Sequence, residues 1–175
     1  AVGIDRLLAE SGVAKMTLYK HFGSKEALIL EVLRRRDARW RAWFQGAVER
    51  RAAEPRARLL AVFDALEEWL RSPRFSGCMF VKAASEFADP GHPAHAAAAE
   101  HQQKVLAYLR GLAEAAGAKR PARLARALML LLQGAVVVTQ VNGPVGAARA
   151  ARDAARSVIA EALGDTGAAA PAPTG

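Results

Sequence analysis

Residues 12–28 read GVAKMTLYKHFGSKEAL, with Gly12 and Gly23 bracketing a short, basic, helix-forming segment. Just upstream, Ile4, Leu7 and Leu8 recur at helical spacing and stop at Gly12, a residue whose tolerance of positive φ suits a helix end. A second short helix starts near Lys15, with Leu18 and Phe22 as its apolar side, and Gly23 closes it. Two brief helices separated by a tight turn are the punctuation of a helix-turn-helix. Ser24 then offers an N-cap, and Glu26 an acid in the first turn of a third helix.

Downstream, that third helix carries Leu28, Val32, Trp40, Trp43, Phe44 and Val48 on an apolar stripe, with Arg34, Arg35, Arg36, Arg39 and Arg41 alongside. It is expected to be long and to join two domains. Pro55 suits the first turn of the next helix, whose buried face reads Leu59, Leu60, Phe63, Leu66 and Leu70, with Ser72 and Pro73 ending it. Phe75 to Phe87 is apolar and ambiguous, its length favouring a helix; Asp89, Pro90, Gly91, His92 and Pro93 form a turn. A helix is expected from about Ala94 to Ala116. Two more follow, one through Leu124, Leu128, Leu131, Leu132, Ala135 and Val138, the other through Ala148, Ala151, Ala155, Val158, Ile159 and Ala162, separated by Asn142, Gly143 and Pro144. The chain is therefore read as all-α: a helix-turn-helix domain over 1–45, a helical domain over 46–164, and a disordered Ala-, Pro- and Gly-rich tail over 165–175.

Composition agrees, since aromatics are sparse (6%) in a chain that is 52% hydrophobic and dominated by Ala and Leu, which favours helix over strand. The net charge of +8 is uneven: residues 1–58 hold 13 Lys/Arg against 7 Asp/Glu, the remainder 12 against 10. An N-terminal basic surface attracts phosphate backbones or anionic membranes, a solvated charged face being the plain alternative. Cys78 is the single cysteine, so no disulfide framework exists and a cytoplasmic, reducing setting is expected. The longest apolar run, Ala127 to Val138, falls short of the ~20 residues of a bilayer span, so no membrane partner is expected. No Ser/His/acid set, Gly-rich phosphate loop or paired carboxylates stand at telling spacing; the sequence reads as neither an enzyme nor a cofactor binder.

The run from Gly12 to Leu28 resembles the DNA-binding signature of the tetracycline-repressor (TetR) family, in the turn glycine Gly12, the core Thr17-Leu18-Tyr19, the pair His21-Phe22 and the Lys25 that opens the next helix. The resemblance implies a dimeric transcription repressor that grips palindromic double-stranded operator DNA and releases it when a small-molecule effector binds. It implies that Lys15, Met16, Thr17, Tyr19, Lys20, His21 and Lys25 form the DNA surface. On physical grounds a short helix displayed at a turn enters the ~12 Å wide major groove, and its N-terminal side chains, here Lys15, Met16 and Thr17, reach base edges. Lys25 sits in a helix's first turn, where a cation is unfavourable unless an anion is expected there. The plain alternatives are a solvated side chain for Lys25 and a half-buried packing ring for Tyr19. Three features depart from the family: Ala1 and Val2 stand at the second helix of its DNA-binding unit, without the helix that normally precedes it; Gly3 replaces a Ser or Thr; and Leu8 replaces a small residue.

The resemblance further implies an effector pocket among the C-terminal helices. Phe63, Leu66, Trp69, Phe75, Cys78, Met79, Phe87 and Leu106 are the expected lining, with Phe80 beside them and Glu86, Tyr108 and Gln133 as polar handles; core packing is the alternative for each. An apolar helix pair near a C-terminus often completes a four-helix bundle with its twin. Leu128, Leu131, Ala135, Val138, Ala151, Ala155, Val158 and Ala162 are therefore the expected homodimer interface, with intrachain core as the alternative. His92, His95 and His101 are not expected to hold a metal, because the first lies in a Pro-flanked turn and the other two, six apart, face different sides of a helix. The competing function is a helical small-molecule-binding or interaction protein that does not bind DNA.

Overall fold

The computed structural model describes residues 22–73 and 75–164, and every regular element among them is a helix. These are α1 (Lys25–Arg51), α2 (Pro55–Leu70), α3 (Met79–Glu86), α4 (Pro93–Ala115), α5 (Pro121–Asn142) and α6 (Ala147–Leu163). Lys15, Met16, Thr17, Tyr19, Lys20 and His21 lie outside the described residues, as does the expected tail over 165–175. The chain divides into two compact units, Ala1–Arg41 with Cys78–Gln102 and Ala42–Gly77 with Gln103–Gly175. The expected division at 45/46 thus differs from the observed one, which passes through α1 and assigns 78–102 to the unit that begins the chain.

In the first unit, Leu33 and Asp37 of α1 are buried, with Cys78, Phe80, Ala83, Ala94, Ala98 and His101 from the second segment. The expected stripe on α1 is corrected by one position: Val32 is 44% exposed. The buried face takes Leu33 and Asp37 and keeps the expected Phe44 and Val48, with spacings of 4, 7 and 4 residues that hold them on one side of a 3.6-residue helix. The ambiguous segment 75–87 is helical only over Met79–Glu86. Gly77 explains the late start, with φ +98 and a position where a β-carbon would run into the Gln140 side chain.

The second unit is built on α2, α5 and α6. Helix α5 packs most extensively on α6, and α6 on α2. Leu59, Val62, Phe63 and Leu66 of α2 are fully or almost fully buried, as are Leu124 and Leu128 of α5. The facing positions of α6 are Ala148, Ala151, Ala155 and Ile159, and alanine at three of them lets the helices approach closely. Asp64 Oδ1 and Arg152 Nε lie 2.8 Å apart, near enough for an ion pair though not aligned as a hydrogen bond. Helix α5 is also longer than the run Ala127–Val138 suggests: Pro121–Asn142 is long and apolar enough, by length and composition alone, to cross a bilayer. One face of it is nevertheless spent on packing within this unit, through Leu124, Leu128, Leu132 and Ala135.

Candidate functional site

The end of the helix-turn-helix stretch is visible at Phe22–Lys25. Gly23 takes φ +73 with no atom of the described residues within 4 Å of where a β-carbon would stand, so the backbone conformation of the turn itself asks for glycine. The Ser24 N–H donates to the Phe22 carbonyl at 2.8 Å, and Ser24 Oγ accepts from the Ala27 N–H at 3.1 Å, which makes Ser24 the N-cap of α1. A hydrogen bond from its own backbone N–H, then one with Ser24, holds the Glu26 carboxyl below the usual carboxylate range. Beside this carboxylate, Lys25 is exposed at the helix start. Of the seven expected DNA-facing residues, it is the one within the described residues, and it leaves an ammonium where the helix dipole favours an anion.

Farther along the same unit, Asp37 Oδ1 accepts from Arg41 Nε at 2.8 Å and Asp37 Oδ2 from Arg41 Nη2 at 2.9 Å. His101 Nδ1 lies 2.8 Å from Asp37 Oδ1, and because an ionised carboxylate only accepts, Nδ1 carries the proton. Phe80 stacks on the His101 ring at 3.7 Å, with Trp40 edge-on at 5.4 Å. The hydrogen bond with Asp37 raises the pKa of Arg41, so its charge is secure. Sequence reasoning passed over Asp37; the available signal was an acid on the buried stripe of α1 with an arginine four residues later. The other imidazoles have different partners: His92 stacks on Phe87 at 4.3 Å, and His95 Nδ1 lies 2.8 Å from the Phe87 carbonyl. Among the described residues no group of His, Cys, Asp and Glu is placed to hold a metal ion.

The expected pocket residues fall in both units. Phe63 and Leu66 are buried in the second unit, where Trp69, Phe75 and Leu106 are half-buried and the rings of Trp69 and Phe75 meet edge-on at 5.1 Å. Cys78, Met79 and Phe87 belong to the first unit. Cys78 is buried, which pushes its thiol up; Met79 is exposed and Phe87 half-buried. Tyr108 is the more informative residue of the second unit. Its ring meets Phe44 edge-on at 6.2 Å, and its hydroxyl is buried with no hydrogen-bond partner among the described residues. Leaving a buried hydroxyl unsatisfied costs about 1–3 kcal/mol, so the group is suited to an acceptor brought in by a ligand. Burial pushes the phenol up to about 12, and it remains a neutral donor at ordinary pH.

A titration follows from that shift. The folded state holds the Tyr108 proton to about 12, while an unfolded chain releases it near the ordinary value of 10.0, so stability declines as pH rises through this window. Tyrosinate absorbance is expected to show a step near pH 12 that Tyr108→Phe removes. Persistence of that step in the variant would reassign it to another group.

The expected dimer residues divide into two groups. Leu128, Ala135, Ala151 and Ala155 are buried within the single chain, where α5 meets α6. Leu131, Val158 and Ala162 are half-buried, and Val138 is exposed. The large apolar side chains that α5 does expose are Leu130, Val137, Val138 and Val141, with Val145 just beyond its end.

Comparison with known proteins bears on both halves of the chain. Residues 55–155 match the family model described as the tetracyclin repressor-like C-terminal domain, and residues 1–32 match that of bacterial regulatory proteins of the tetR family. Over 125 residues, 71% of its length, the chain is 27% identical to the HTH-type transcriptional regulator YjdC of Escherichia coli. It spans about two thirds (65%) of the length of the curated relatives it matches. Its fold resembles the crystal structure of a TetR-family transcriptional regulator from Streptomyces coelicolor, with a TM-score of 0.85 and 31% identity, covering 93% of this chain and 85% of that one. A putative TetR transcriptional regulator from Streptomyces avermitilis is similar at a TM-score of 0.71 and 30% identity, with 89% and 88% covered.

Proposed function

Since this chain belongs to the TetR family of transcriptional regulators, we propose that it is a ligand-responsive, DNA-binding regulator of the cytoplasm, a repressor that leaves its operator when a small molecule binds. The observation that carries the reading is the match of residues 1–32 to the family's regulatory domain, running into a Ser24-capped helix that presents Lys25. In this reading Lys15, Met16, Thr17, Tyr19, Lys20, His21 and Lys25 contact DNA. Two copies place their reading segments about 34–36 Å apart, one turn of a palindromic duplex. The effector enters the second unit, where the Tyr108 hydroxyl donates to it. To release DNA, the effector need only prefer a state in which the two segments are out of register.

A gel-shift titration of the full-length protein against salt tests this. Neutralising several phosphates makes log affinity fall steeply and linearly with log salt. Lys25→Ala is expected to weaken binding several-fold on every sequence and to flatten the salt slope by about one, and Tyr19→Ala is expected to weaken binding without unfolding the chain. Affinity that ignores salt, or both variants binding like the parent, would favour a helical ligand-binding protein without DNA contact.

A further inference from the structure

Within the second unit, a groove of about 460 Å³ lies between the first turns of α5 and the last turns of α6. Lys119, Arg120 and Arg123 line it, all exposed, with Glu161 as the carboxylate among its lining residues. The apolar part of the wall is Leu124, Ala127, Val158 and Ala162. The start of α5 is an improbable place for three cations, because the helix dipole is positive there and the first turn holds no acid to offset them. Arg120 stands at the N-cap and makes no side-chain cap hydrogen bond. Among the described residues, no ion pair reaches Lys119, Arg120 or Arg123.

We propose that this groove is a binding site for a small anionic amphiphile, a carboxylate head on a short apolar body. Arginine forks take a carboxylate with two parallel N–H donors, and the dipole at the start of α5 adds to the attraction. The apolar wall receives the body, and the volume is in the ordinary range for a small-ligand cleft, about 300–1,000 Å³. The site is independent of the effector reading built on Tyr108. It is also remote from the exposed apolar end of α5: at 1.5 Å per residue, Arg123 and Val141 are roughly 27 Å apart along the helix.

Isothermal titration of the full chain at low ionic strength, with octanoate as probe, tests the proposal. One saturable octanoate site per chain is expected, with 1-octanol and inorganic phosphate each at least tenfold weaker, since each lacks one half of the recognition. Lys119→Gln with Arg123→Gln should weaken octanoate at least tenfold while circular dichroism stays unchanged. Arg126→Gln, three residues on and not lining the groove, should change affinity less than twofold and so separates a local site from general attraction. Octanol or phosphate matching octanoate, or full affinity in the double variant, would overturn the site. So would a double variant that alters the mass in sedimentation but not octanoate binding, which would assign the groove to contact between copies.

Discussion

Replacing Asp37 with alanine is expected to lower the unfolding free energy by about 1–3 kcal/mol, the loss typical when a buried hydrogen-bonding group loses its partner. Asp37 and His101 are both buried, and the carboxylate is the acceptor for His101 Nδ1 and, through both oxygens, for Arg41. The Arg41 side chain is 26% exposed and can turn toward water, so most of the loss comes through His101, held between Asp37 and the face of Phe80. The urea midpoint should fall by about 1 M, given a slope of 1–3 kcal/mol per molar. Asp37→Asn, which keeps the shape and one acceptor, should lose less. The double variant Asp37→Ala with His101→Leu should lose less than the sum of the two single variants, because the two side chains share one hydrogen bond and their effects are coupled. A shift below 1 kcal/mol for Asp37→Ala would mean that the carboxylate contributes little beyond its neighbours' packing. Because α1 begins at the Ser24 cap, this variant also asks whether operator affinity depends on the cluster that anchors the helix.

What the sequence could and could not show divides along physical lines. Helix existence was legible wherever punctuation was chemical: Ser24 caps as its hydroxyl allows, Pro55 opens α2, and Asn142 with Gly143 closes α5. The turn at 89–93 follows from the Asp89 carboxylate, which accepts the Gly91 N–H at 2.9 Å. Faces were harder to read. In α1 a one-residue slip exchanges Val32 for Leu33, since over 27 residues the apolar positions drift around the helix. Over Ala127–Val138 of α5 Gln133 is the one polar side chain, so periodicity cannot separate the side that meets α6 from the side that meets water. The Asp37–His101 pair spans 64 residues and left no local signature beyond a misplaced acid. Tyr108 was legible as a polar handle, but its unsatisfied hydroxyl is a property of packing alone.

The exposed face of α5 leads to the second large effect. Leu130 and Val141 are 74% and 75% exposed, and with Gly134 and Val137 they recur at i, i+4, i+7 and i+11 along one line of the helix. Leucine and valine so exposed are a liability on a monomer, and a contiguous apolar stripe of this kind marks a contact surface. Gly134 points the same way. A glycine inside an exposed helix costs about 1 kcal/mol relative to alanine, and among the described residues nothing stands within 4 Å of its absent β-carbon, so no described neighbour requires it there. Close approach of a second helix backbone would. With the homodimer proposed above built on this stripe, Val141→Asp should bring like charges together across the two-fold and weaken self-association by at least a hundredfold, giving monomers at micromolar concentration in sedimentation. Helicity should be unchanged, because the side chain is already in water in the single chain. Operator affinity should fall with it, since two linked half-site contacts become two independent ones. Gly134→Ala separates the alternatives further: on a free face it can only stabilise the helix, whereas at a close crossing it stabilises the chain and loosens the dimer. Should Val141→Asp remain a dimer, α5 is not the surface that joins the copies, and the half-buried Val158 and Ala162 of α6 become the face to alter next.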